Sequence, residues 1–426
     1  MNTLQQRDKA VIWHPFTPQK NMLPPIPIVA GKNSLLYAED GRQFIDAISS
    51  WWVTLHGHAN QAIADALYKQ AQTLEQVIFA GFTHEPAVQL AEALLPLLPG
   101  KMSKVFYSDN GSTSTEVALK MAIQYWWNEG EGKRNKLLAF NNSYHGDTFG
   151  AMSVSDRSVF TLAFADKLFE VVFIDLPTAD NITELQRTIK AHAHELAAFI
   201  YEPLVQGAGG MKMYAAEAMD ALLECAQQQG ILCIADEVMT GFGRTGKLFA
   251  SNYMEHKPDI ICLSKGLTGG TMALGVTACA EKIYAAFVTN DPLKTFFHGH
   301  SFTANPLACT AALTSLQLLL KADCQRRIEA VTQKNNHLFD QLKGDTGIKN
   351  LRCLGTILAF EIDQGKDGYL NNLSAAITSL ALANGVYLRP LGNTMYIMPP
   401  YCITDEEFET ISGVIKGILS EMVPAG

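Results

Sequence analysis

Between about residues 100 and 280 the chain alternates seven short apolar runs with longer amphipathic stretches, and few folds accept that pattern. The runs are KVFYSD (104–109), KLLAF (136–140), EVVFID (170–175), AAFIYEP (197–203), ILCIADE (231–237), DIICLSK (259–265) and GVTACA (275–280). Each is rich in Val, Ile, Leu or Phe and apolar on both faces, as buried strands of a mostly parallel sheet are. Between them, STEVALKMAIQYWW and AEAMDALLECAQQQ carry the 3.6-residue apolar period of crossover helices. The pattern predicts an α/β fold with a mostly parallel, doubly wound sheet of seven strands, and it excludes an all-β fold or a helical bundle.

The two ends read differently. Residues 1–48 hold the proline-rich QKNMLPPIPIV, then SLLYAEDGRQFIDA, a hairpin turning at Glu39-Asp40-Gly41. From about residue 305 a long helical pattern leads into GTILAFEI, a helix near 372–384, and the strand-like VYLRP and MYIMPP. The expected organisation is a large domain over 49–315 and a small α+β domain built from both ends, 1–48 and 316–426.

Composition narrows the function. Hydrophobic residues make up 48% and charged residues 18%, enough apolar surface for a large core and too much for a disordered chain. With 42 acidic against 33 basic residues the net charge is −9, and no Lys/Arg run occurs, so nucleic acid is not an expected partner. No apolar run reaches the ~18–20 residues needed to span a bilayer, and the polar N-terminus lacks a secretory pattern. The eight cysteines form no C-x-x-C pair and sit mostly in apolar stretches, as a reducing compartment permits. A soluble cytoplasmic protein with no membrane partner is expected. Three His-x-His pairs (His56/His58, His192/His194, His298/His300) have no Cys or carboxylate at ligand spacing, so no metal centre is expected. GFGRTG (241–246) fits the dinucleotide fingerprint, yet DEVMT separates it from its strand and GKLFASNY makes a poor crossover helix.

Two consecutive strands end in charged groups. ILCIADE delivers Asp236 and Glu237, and DIICLSK delivers Lys265, 29 residues after Asp236. Ligands of open α/β sheets bind at the carboxyl edge of the strands, so Asp236 and Lys265 can face one site. A lysine there is costly to bury as an ammonium and better tolerated neutral or in an imine. A salt bridge at the rim accounts for such a pair equally well. The third element is KVFYSDNGSTSTEVALKMA, a strand, a tight Asn110-Gly111-Ser112 turn and a helix, with Thr113 and Glu116 at capping-box spacing. The N–H groups of Gly111 and Ser112 at the positive end of that helix suit an anion. A phosphate seat, a strand-end carboxylate and an imine-forming amine are what pyridoxal 5′-phosphate requires.

SDNGSTSTEVALKMA, NSYHGDTFGAMS, EPLVQGAGGM, ADEVMTGFGRTGKLFA, PDIICLSKGLTGG and HGHSFTANPLAC occur in that order and resemble the fold-type I, class-III aminotransferases over nearly the whole chain. IWHPFT, DAISSWW and RPLGNTMYIMPPY narrow the resemblance to the branch that aminates 8-amino-7-oxononanoate in biotin biosynthesis. The resemblance implies that Lys265 carries the cofactor and shuttles a proton, that Asp236 keeps the pyridine nitrogen protonated and that Tyr144 stacks on the ring. It also implies that Gly111, Ser112, Ser301 and the His300 backbone hold the phosphate, with the HGHS segment donated by the partner subunit of a homodimer. For the substrate, Arg389 is the expected carboxylate anchor. Trp51, Phe16 and Gly299 are expected contacts, joined by Tyr144 and Lys265. Trp52, Asp147, Glu202, Arg244 and Tyr396 are weaker candidates for lining or tuning the site. Phe16 and His300-Ser301 stand where Tyr and Pro-Thr are common in that branch; S-adenosylmethionine is the expected amino donor, with lysine the alternative that the Phe16 difference raises. Another class-III ω-amino acid or diamine aminotransferase shares every cofactor residue and differs only in the pocket.

Overall fold

The computed structural model describes residues 3–20, 22–364, 371 and 373–422. The chain opens with a helix, Leu4–Val11, that the sequence reading does not anticipate; Thr3 and Gln6 close its capping box and none of its residues is buried. Three antiparallel strands follow: β1 (Ile28–Lys32), β2 (Leu35–Ala38) and β3 (Gln43–Asp46). The β2–β3 turn falls on Glu39–Arg42, where Asp40 takes hydrogen bonds from the Arg42 N–H and side chain.

The seven apolar runs become β4 (Met102–Ser108), β5 (Lys136–Phe140), β6 (Val171–Ile174), β7 (Leu196–Tyr201), β10 (Leu232–Asp236), β11 (Ile260–Leu263) and β12 (Gly275–Ala280). A short ribbon, β8 (Val205–Gln206) with β9 (Lys212–Met213), lies between β7 and β10 in the chain. The main sheet has the order β4-β12-β11-β10-β7-β5-β6. Only β12 runs against its neighbours β11 and β4, while the other pairings are parallel. The reversal has a simple cause. Residues 264–274 are too few for a parallel crossover, which takes a dozen or more residues. Every residue of β7, β10 and β11 is buried, as helices on both faces require.

The C-terminal part adds the helices Pro306–Leu319, Ala322–Leu342, Leu373–Ala383 and Asp405–Met422. Its strands are β13 (Ile348–Leu354), β14 (Ile357–Ile362), β15 (Val386–Tyr387) and β16 (Thr394–Ile397). β15 pairs in parallel with β3, so both ends of the chain meet in one four-stranded sheet. Among the described residues no single helix is long and apolar enough to cross a membrane.

One local expectation is corrected. The helix after β4 starts at Gly111 and is capped by Asn110, whose side chain accepts from the Thr113 N–H while Thr113 reaches back to the Asn110 N–H. The capping box therefore sits three residues earlier than the Thr113/Glu116 frame, because the Asn110 side chain is itself a strong cap. Glu116 serves elsewhere, accepting from the Gly150 and Ala151 N–H groups at 2.6 and 3.1 Å.

Candidate active site

Five strands of the main sheet release chain at one edge, and the chemistry collects there. β4 leads to Asn110–Ser112, β5 to Tyr144, β7 to Glu202, β10 ends on Asp236 and β11 leads to Lys265. These residues line one cavity of about 400 Å³ together with Trp52, His145, Asp147, Ala208 and Val238.

Lys265 opens a short 3-10 turn with φ +42°, an angle few non-glycine residues adopt. Its Nζ stands 4.6 Å from the centroid of the Trp52 ring and meets no hydrogen-bond partner among the described residues. Burial pulls the amine below its ordinary value, with Asp236 and Glu202 opposing. Asp236 is almost fully buried. Its Oδ1 accepts from the Val238 N–H at 3.1 Å, and its Oδ2 accepts from His145 Nδ1–H at 2.7 Å. His145 is a residue the sequence reading passes over, although it directly follows Tyr144. Its backbone N–H is held by Ser155 Oγ at 2.8 Å, and its Nε2 is buried without a partner.

The start of the helix after β4 has a defined shape. A Cβ on Gly111 would come within 2.8 Å of Val238 Cγ1, so only glycine lets the helix start pack against the loop after Asp236. Gly146, at φ +130°, crosses still more closely over Ser112. Ser112 Oγ accepts the Asp147 N–H at 3.0 Å, leaving its own proton for a ligand.

Glu202 is buried and accepts the N–H groups of Tyr144 at 3.0 Å and Gly207 at 2.8 Å. Burial raises its carboxyl from 4.5 to about 7, and Asp236 adds to the rise, while His145 and the two N–H bonds oppose it. A carboxyl raised in the folded state favours folding while protonated. That contribution is complete below the unfolded value near 4.5 and is lost as pH climbs through about 7. Glu202→Gln should therefore remove part of the decline in Tm between about pH 5 and 8, read from melting curves at several pH values; an unchanged slope would show that Glu202 titrates normally. Tyr144 is partly buried, its phenol pushed up chiefly by burial and further by Asp147.

A second set of groups lies toward the chain ends. The Arg389 guanidinium sits 4.3 Å from the centroid of the Trp51 ring. Phe16 contacts Trp51 edge-on at 5.4 Å and Phe160 at 5.9 Å, and Phe160 reaches Tyr144 at 6.0 Å. These rings form a row from Arg389 to the reactive cavity. Phe16, Phe160, Tyr387 and Arg389 wall a cavity of about 800 Å³. A third cavity, of about 580 Å³, shares Phe160 with it and Tyr144 with the Lys265 cavity.

Two candidates do not line the site. Arg244 is fully buried and donates from its two terminal nitrogens to the carbonyls of Pro399, Trp52 and Thr54 at 3.1–3.3 Å. Tyr396 is buried and accepts from Trp52 Nε1 at 2.9 Å. Both stand behind Trp52 and hold it, instead of facing a ligand. Gly299, His300 and Ser301 are likewise absent from the cavity of their own chain. Their loop lies by the helix after β4, with Lys120 Nζ 3.0 Å from His298 Nδ1, and is flanked by the exposed Phe297 and Phe302.

The aminotransferase class-III family matches residues 16–419. The adenosylmethionine-8-amino-7-oxononanoate aminotransferase of Synechococcus elongatus is 47% identical over 425 residues, covering 96% of this chain and 99% of that protein. The enzyme of the same name from Geobacter sulfurreducens is 38% identical, covering 98% and 97%. Among solved structures, the adenosylmethionine-8-amino-7-oxononanoate aminotransferase of Methanocaldococcus jannaschii aligns with a TM-score of 0.94 at 32% identity, covering 98% of each chain. An omega transaminase of Pseudomonas jessenii in complex with PMP aligns with a TM-score of 0.94 at 25% identity, covering 100% of each.

Proposed function

The chain belongs to the class-III aminotransferases, and on that premise we propose that it aminates 8-amino-7-oxononanoate to 7,8-diaminononanoate in biotin biosynthesis, with S-adenosylmethionine as donor. Enzymes of this family use pyridoxal 5′-phosphate. The residues present suit that group: a half-buried amine without a hydrogen-bond partner among the described residues faces the same cavity as a buried carboxylate and a glycine-lined helix start. When bound, the cofactor supplies an electron-withdrawing ring that stabilises charge on the carbon losing its proton.

The protein's residues do the rest. Lys265, whose proton affinity burial lowers, is the amine that would take a proton from the substrate carbon and return it one position away. Asp236 would face the ring nitrogen, and His145 orients it by donating from Nδ1. Gly111 and Ser112 would receive the phosphate, and Tyr144 would cover the ring face. Arg389 grips the distal carboxylate of the acceptor, whose apolar chain runs along the aromatic row. The guanidinium at the far end of that row is the observation that carries this substrate.

Gly299, His300 and Ser301 complete the phosphate seat of the partner in a homodimer, a reading supported by their separation from their own cavity and by the exposed Phe297 and Phe302. The large unit spans residues 49–315 and the small one joins 1–48 to 316–426, which the β3–β15 pairing supports. Eight free cysteines suit a cytoplasmic location.

The test is direct. Purified protein given 8-amino-7-oxononanoate and S-adenosylmethionine or lysine should form 7,8-diaminononanoate. No product with either donor, alongside turnover of a β- or γ-amino acid, would replace this reading by an ω-amino acid aminotransferase. Donor choice has its own probe. Phe16 stands in the aromatic row without a hydroxyl, so Phe16→Tyr should shift the ratio of activities with S-adenosylmethionine and lysine. An unchanged ratio removes Phe16 from donor selection.

A further inference from the structure

The turn that carries both tryptophans is strained. Ser49, Ser50 and Trp52 have φ of 53°, 61° and 67°. Ser50 combines its φ with a ψ of −85°, outside the left-handed helical well, and Trp51 stands at φ −129°, ψ 58°. Residues other than glycine keep such angles only where their surroundings over-determine them.

The restraint converges on one carboxylate. Asp46, the fully buried last residue of β3, accepts the Ile48 N–H at 3.3 Å and the Ser50 N–H at 2.8 Å on Oδ1. Its Oδ2 accepts the Ser50 hydroxyl at 3.0 Å and His58 Nε2–H at 2.9 Å. The same residue is in register with Tyr387 of β15, two positions before Arg389. Asp46 therefore ties the strand bearing the guanidinium to the turn bearing the ring stacked on it. The turn also sets Trp52 beneath Lys265, and its other side-chain anchors include the Ser49 hydroxyl on the Met398 carbonyl, Trp52 Nε1 on the Tyr396 hydroxyl and Arg244 on the Trp52 carbonyl.

We propose that Asp46 is a positioning residue whose carboxylate holds the Ser49–Trp52 turn in its strained form, so that Trp51 and Arg389 are set for the acceptor before it arrives. The proposal rests on the reading of Trp51 and Arg389 as acceptor contacts. Asp46→Asn turns one acceptor oxygen into a donor facing Ser50 or His58. It should raise the acceptor KM about tenfold or more while changing kcat less. It should also diminish the Trp51 part of the near-ultraviolet circular dichroism, taken as the difference from Trp51→Phe. Adding Ser50→Gly to Asp46→Asn should restore most of both, because glycine adopts these angles without strain. A carboxylate that only supports the fold would lower Tm and gain nothing from that glycine.

If Asp46→Asn does not fold, Ser50→Ala removes only the hydroxyl bond to Oδ2 and should move both readouts the same way, by about two- to threefold. An unchanged acceptor KM and spectrum in the variant that folds, or a loss that glycine does not restore, overturns the proposal. The spectrum needs no substrate. A wild-type protein inactive on 8-amino-7-oxononanoate would thus refute the functional reading and leave the spectrum to judge the clamp.

Discussion

Lys265→Ala should reduce transamination by at least about 10⁴-fold and abolish the absorbance of lysine-linked cofactor in the purified protein. The expectation follows from place and charge together. The side chain is half-buried at the strand edge, and among the described residues no other amine lines its cavity. Burial lowers its affinity for a proton, which favours a proton acceptor, and the nearby Asp236 and Glu202 oppose that shift. Lys265→Arg should fare no better, since a guanidinium does not release its proton. Steady-state rates with the natural donor and the visible spectrum of the dialysed protein are the two measurements. Turnover within tenfold of the parent would remove Lys265 from the mechanism and the phosphate seat with it.

The second large effect belongs to the other end of the aromatic row. Arg389→Ala should raise the KM for the acceptor by roughly 10- to 150-fold, the worth of a charge-assisted pair, with a far smaller change for the donor. Among the described residues no carboxylate pairs with Arg389, and Trp51 covers one face of its guanidinium. The fork is thus oriented and available. Arg389→Lys should fall between, keeping the charge and losing the two parallel bonds. Equal losses for both substrates would mean that a different cation receives the carboxylate.

Legibility along the chain tracks how local each signal is. The seven doubly apolar runs are all strands of one sheet, because burial on both faces is written into consecutive residues. Asp236 and Lys265 were visible for the same reason, each closing such a run. His145 was not, since nothing in NSYHGD says that its ring meets a carboxylate 91 positions away. Arg244 misled in the opposite direction: a cation in a glycine-rich loop resembles a ligand contact. Only the carbonyls of Trp52, Thr54 and Pro399, brought in from both ends of the chain, show that it braces the interior. The Ser49–Trp52 turn was hidden because its angles are imposed by Asp46 and His58 and not by its own composition.

The pairing of β15 with β3 has a consequence for how such a protein diversifies. Arg389, Trp51 and Phe16 hang from chain that enters or leaves this small sheet, whereas Lys265, Asp236 and the Gly111–Ser112 helix start hang from the large one. Selection can therefore rewrite what is recognised by editing the termini, while the catalytic inventory drifts under separate constraint. A search for altered substrate range should randomise the neighbourhood of β3 and β15 first.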